Sequence, residues 1–91
     1  MLFNVKKSDL KYSYNGYQYD DKTKITIDKS FFSKTEWYEV AYMIEEVIND
    51  LQLICSRQTI NSIEDYIKST DFGTRDREKI KSAIMYKFTT F

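Results

Sequence analysis

Ninety-one residues set the scale of one domain, because two halves would each be too small to bury a core. Acidic and basic side chains cancel at 14 each, which denies the chain as a whole an electrostatic pull on nucleic acid or anionic membranes. Histidine is absent and there is one cysteine, so the commonest general base, a structural zinc cluster and an internal disulfide are all excluded.

The lone thiol, Cys55, fits a reducing compartment. Residues 1–3 give way at once to polar sequence, and no apolar run approaches the ~20 residues of a membrane span. A cytoplasmic protein is therefore expected, in a bacterial cytosol. Frequent Lys and Ile with no Pro and no His suit an AT-rich genome, such as that of a low-GC bacterium or its phage.

Strand-like sequence comes first. Residues 2–6 are read as an edge strand. Asn15-Gly16 is a strong hairpin signal, since a type I′ turn needs positive φ at both central positions. The turn sets Tyr14 against Tyr17, Tyr12 against Tyr19 and Lys11 against Asp20. Alternation then puts all four tyrosines on one face. A third strand is predicted at residues 24–28, with Ile25 and Ile27 inward.

The period changes after residue 30. Ser33 and Glu36 have the spacing of a capping box, and Trp37, Val40, Ala41, Ile44, Val47, Ile48, Leu51 and Ile54 recur at helical steps. This predicts a helix over 34–55, with Cys55 buried at the end of its stripe. A second helix is predicted from Thr59 as N-cap to about Ser69, burying Ile60, Ile63 and Ile67. A third is capped by Thr74 and carries Ile80, Ala83, Ile84 and Phe88. The fold expected is α+β: a small antiparallel β-meander of three or four strands (residues 1–30) packed on one long amphipathic helix, followed by two shorter helices (33–91 for the helical part), all one domain.

Chemistry is conspicuous by its absence. The two glycines fall in turns, so no phosphate loop exists. Asp20-Asp21 and Glu45-Glu46 are neighbours whose side chains diverge, so neither pair makes an acid/base dyad. No catalytic residue, metal ligand or cofactor is assigned, and an enzyme is the least favoured class. What remains is surface. Tyr12, Tyr14, Tyr17 and Tyr19 form either a core face or a binding face, tyrosine being the residue that binding surfaces favour. Glu36, Glu39, Glu46 and Asp50 make an acidic ridge on the long helix, with Met43 as an apolar anchor within it, suited to a basic groove. The bland alternative is that this acidic helix pairs with the basic C-terminal one. Arg75, Arg77, Lys79 and Lys81 on that basic helix are the alternative nucleic-acid-binding set, though Asp76 and Glu78 interrupt it.

Together these features resemble those of small phage or mobile-element proteins that inhibit host factors, anti-CRISPR and other anti-defence proteins among them. The resemblance implies a non-catalytic protein-binding module that occludes a basic, nucleic-acid-handling surface of a host protein such as a nuclease or effector. Immunity proteins and nucleotide-sequestering proteins look similar, and a DNA- or RNA-binding regulator is the other reading. A homodimer seam through residues 85–88 and Phe91 is left open.

Overall fold

The computed structural model describes residues 5–14 and 30–89. Three helices make up its body: α1, Trp37–Leu51; α2, Arg57–Ser69; and α3, Arg77–Thr89. A single 3-10 turn, Lys7–Asp9, precedes them. Among the described residues there is no strand; an antiparallel bridge pairs Phe31 with Asp76. The α+β meander is therefore corrected to a helical fold. The predicted Asn15-Gly16 turn, Tyr17, Tyr19 and the strand 24–28 lie outside the described residues. The reason the first hairpin strand fails is visible at Lys11 and Tyr12, whose amides donate to the Glu64 carboxylate on α2. Lys11, expected opposite Asp20, pairs instead with Asp65.

α1 is the centre of the molecule. It packs against α2, α3 and the 3-10 turn, so more than one stripe of it is interior. Trp37, Val40, Ala41, Met43, Ile44, Val47 and Ile48 are all buried. Ile60, Ile63 and Ile67 of α2 and Ile80, Ile84 and Phe88 of α3 close on them, and Val5 and Leu10 plug the side where the N-terminal segment crosses. Tyr66 meets both Phe72 and Phe88 edge-on at 5.9 Å between ring centroids, the geometry that aromatic quadrupoles prefer. This locks α2 to α3.

The helix ends differ from the sequence expectation by chemistry that can be named. No capping box forms: Ser33 Oγ lies 3.0 Å from Thr35 Oγ1, and Glu36, which sits at the N-cap, makes no side-chain cap. The entry to α1 is fixed by backbone instead, with Phe32 N–H to Arg75 carbonyl at 2.9 Å and Arg77 N–H to Ser30 carbonyl at 3.0 Å. Ser56, not Thr59, caps α2, its Oγ accepting from Thr59 N–H at 3.2 Å. Asp76, not Thr74, caps α3, accepting from Glu78 and Lys79 N–H at 3.0 and 3.3 Å.

α1 stops early, at Leu51, through a Schellman close. Leu53 N–H reaches the Ile48 carbonyl at 3.0 Å and Gln52 N–H the Asn49 carbonyl at 3.3 Å. Gln52 takes the left-handed conformation this requires, at φ 55° and ψ 43°. The break turns Ile54 out of the predicted stripe to 80% exposure and leaves Cys55 exposed rather than buried.

A side chain in the left-handed region costs roughly 1 kcal/mol that glycine avoids. Gln52→Gly should raise the thermal midpoint by roughly 4–8 °C, the shift that ~1 kcal/mol gives a domain of this size, as read by circular dichroism.

Candidate functional site

Two polar constellations and one groove stand out from the helical body. In the first, Glu64 occupies a place on α2 where an apolar residue would be expected. Ile60, Ile63, Glu64 and Ile67 form one continuous buried stripe, and the carboxylate is fully buried. A buried carboxylate must be hydrogen-bonded to be tolerated. Glu64 Oε1 accepts from Lys11 N–H at 3.0 Å, and Oε2 accepts from Tyr12 N–H at 3.1 Å and from the Tyr14 hydroxyl at 2.6 Å. The N-terminal strap is thus clamped to α2 by one side chain.

Asp65, one position on, faces outward and holds the rim. It accepts from Lys11 Nζ and from the Tyr12 hydroxyl, each at 2.7 Å, while Lys68 Nζ sits 4.7 Å from the centroid of the Tyr14 ring.

These bonds tie the strap to pH. Asp65 titrates below its ordinary 3.8 because Lys11, then Tyr12, donate to it. Lys11 is raised above 10.5 by its bond to Asp65. Tyr12 is raised above 10.0 by the same carboxylate. Tyr14 is raised further, first by burial and then by Glu64. The Asp65 contribution is fully present above pH 3.8 and is lost as pH falls through the lowered value. The Lys11 and tyrosine contributions are fully present below 10.5 and 10.0, and are lost as pH rises through the raised values. The strap is held best between those limits.

The second constellation takes up the acidic ridge. Glu39 is buried, and its Oε1 lies 3.4 Å from Arg77 Nη1. Arg77, also buried, reaches Glu46 with Nη2. Lys81 Nζ lies 2.8 Å from Asp50 and 3.7 Å from Glu46, and its pKa is raised, most by the Asp50 hydrogen bond. Acidic α1 and basic α3 therefore pair with each other. Met43, predicted as an anchor within the ridge, is fully buried in the core. Glu36 is half-buried at the start of α1. Of the basic set, Arg77 and Lys81 are turned to these carboxylates, whereas Arg75 and Lys79 are exposed.

The groove, about 410 Å³, lies where the α1–α2 connection passes the end of α3. Its lining includes Leu53, Ile54, Gln58 and Phe88. Among the described residues no three His, Cys, Asp or Glu side chains gather as a metal site, and no helix is long and apolar enough to cross a membrane.

Structure brings Tyr12 and Tyr14 together on α2, and draws Glu39, Glu46 and Asp50 together with Arg77 and Lys81. Sequence reasoning missed Glu64, though its position one step past Ile63 and three before Ile67 was a signal. Arg77, three residues before Ile80 on the buried side of α3, gave the same one. Comparison with protein-family models, curated proteins and solved structures finds no match for this chain.

Two substitutions separate the constellations. Glu64→Leu, which leaves two amides and a hydroxyl without their acceptor, should cost roughly 2–3 kcal/mol in urea unfolding. Arg77→Met should cost about 3 kcal/mol by stranding a buried carboxylate, and Lys81→Met under about 1 kcal/mol because its partners are well solvated. In acid, the NMR ring signals of Tyr12 should keep their docked shifts until the pH falls below the ordinary aspartate value of 3.8, and Asp65→Asn should remove that transition.

Proposed function

We propose that this chain is a non-catalytic protein-binding domain, a small phage or mobile-element inhibitor that works in the bacterial cytosol by covering a nucleic-acid-handling surface of a host defence protein. The observation that supports the reading is Tyr12. Its amide is held by Glu64, its hydroxyl by Asp65, and the residue remains 41% exposed. A side chain fixed at both ends before any partner arrives loses little entropy on binding, which favours it as an anchor. Tyrosine is also among the residues that dominate interface energies. Lys11 and Asp65 flank the ring with one charge of each sign, a polar rim around an aromatic centre.

The acidic ridge is a weaker support than its sequence suggests, because its charge is met from within by Arg77 and Lys81. The same pairing weakens the nucleic-acid reading, since it takes two cations out of the basic set. Tyr12 therefore carries the proposal.

The test is affinity capture with the purified chain from nuclease-treated bacterial lysate, followed by binding measurements on the captured protein. Tyr12→Ala should weaken the complex by roughly 30-fold, the size of an interface hot spot, while leaving the helical signal intact. Tyr12→Phe should lose less. Equal binding by wild type and Tyr12→Ala, or turnover of a substrate by the purified chain, would overturn the reading.

A further inference from the structure

One edge of the molecule holds cations that neither polar constellation uses. Lys34, Lys68 and Lys81 are each half-buried, but they are held differently. Lys81 faces Asp50 and Glu46. Among the described residues, no carboxylate lies within ion-pair distance of Lys34 or Lys68. Lys68 Nζ donates to the Lys34 carbonyl at 3.0 Å and sits 4.7 Å from the centroid of the Tyr14 ring. Lys34 Nζ donates to the carbonyl of Thr70, the C-cap of α2, and lies 5.1 Å from the centroid of the Phe72 ring. Carbonyl dipoles at a helix end and ring quadrupoles hold an ammonium in place, yet they leave its charge unmet. Each ammonium carries three donors, and one carbonyl takes only one of them. Two positive charges are thus fixed, partly stripped of water, on the flank of α2 that holds the Tyr12 anchor, since Lys68 follows Asp65 by one turn.

From this arrangement we infer that the Lys34–Lys68 edge, with the Tyr14 and Phe72 rings beside it, docks a carboxylate-bearing surface of the partner protein. The inference rests on the protein-binding reading and names the charge that the partner presents there. Charge complementarity selects an anion, and the surroundings select its kind. One face of each ring is taken by an ammonium, and the Phe72 ring also meets Tyr66, which leaves poor platforms for stacked bases. Asp65, with its side chain 46% exposed, and the exposed Asp71, next to Phe72 in the chain, repel a continuous line of phosphates but leave room for discrete carboxylates. Such a surface is not foreign to a nucleic-acid-handling protein, because carboxylates hold the metal ions of nucleases and polymerases. The acidic ridge called instead for a basic groove, but its own charge is met from within.

NMR titration of the full chain at low salt tests this with two probes, hexaglutamate and single-stranded hexathymidylate. Hexaglutamate should shift the amides of Lys34, Lys68, Thr70 and Phe72 with a dissociation constant of about 1–5 mM. Lys34→Gln and Lys68→Gln, which keep a donor for each carbonyl, should each weaken it by roughly threefold, the scale of an exposed ion pair, with the helical signal unchanged. Because the probes are added to the chain alone, this result does not depend on whether Tyr12→Ala weakens the host complex. On the captured host protein, the double variant should lower affinity by roughly tenfold. A host complex that is lost with Tyr12→Ala but untouched by the double variant overturns this inference and leaves the anchor reading standing. So does a wild type whose edge shows no shift at about 10 mM hexaglutamate, or one whose binding survives both substitutions. Tighter binding of hexathymidylate than of hexaglutamate overturns it as well, by assigning the edge to nucleic acid.

Discussion

A carboxylate buried in an apolar helix stripe has to be satisfied, and in this protein it is satisfied by the chain's own beginning. Glu64 takes two backbone amides and one hydroxyl from residues 11–14. The demand and the supply match: desolvating the charge would be prohibitive without donors, and the strap's donors would be orphaned without the charge. With residues 11–14 held there, Val5 and Leu10 are buried in the core, and the 3-10 turn between them packs on both α1 and α2. The clamp therefore completes the core, and it also fixes the one tyrosine of the strap that is well exposed.

The second polar device acts differently. Buried ion pairs are weak contributors to net stability, because desolvation consumes much of the attraction. Arg77 between Glu39 and Glu46 is better understood as a register mark. It lets α3 settle on α1 at one position along the acidic ridge, with Lys81 against Asp50 a turn further on. The Phe31–Asp76 bridge fixes the same register from the backbone side. A neutral chain with segregated charge can spend that charge internally, and here the ridge is largely spent.

Much of the helical part was legible. The three- and four-residue recurrence from Trp37 to Leu51, the isoleucine triplet of α2 and the Ile80, Ile84, Phe88 stripe of α3 reflect burial against one another and need no knowledge of partners. The ends were less legible, because caps are decided by competition between nearby candidates. Ser56 outcompetes Thr59, Asp76 outcompetes Thr74, and the αL residue that stops α1 is a glutamine, which carries no local signal for that conformation. The strand expectation failed at residues 11–14 for a different reason. Alternating tyrosines satisfy the period of a strand, but period says nothing about which acceptor the amides will find, and Glu64 lies more than fifty residues away in sequence. Of the candidate site, Tyr12 could be singled out from its type and its neighbours, whereas its rigid presentation depended on a contact that no local pattern encodes.

The functional account rests on that presentation, and hence on the clamp. Its most direct test is amide-resolved NMR of the wild-type chain at neutral pH, observing the Lys11 and Tyr12 amide protons. The account predicts nuclear Overhauser contacts from both amides to the Glu64 side chain, with both protected from exchange. Contacts from those amides to a neighbouring strand beyond Asn15-Gly16, with none to Glu64, would contradict it.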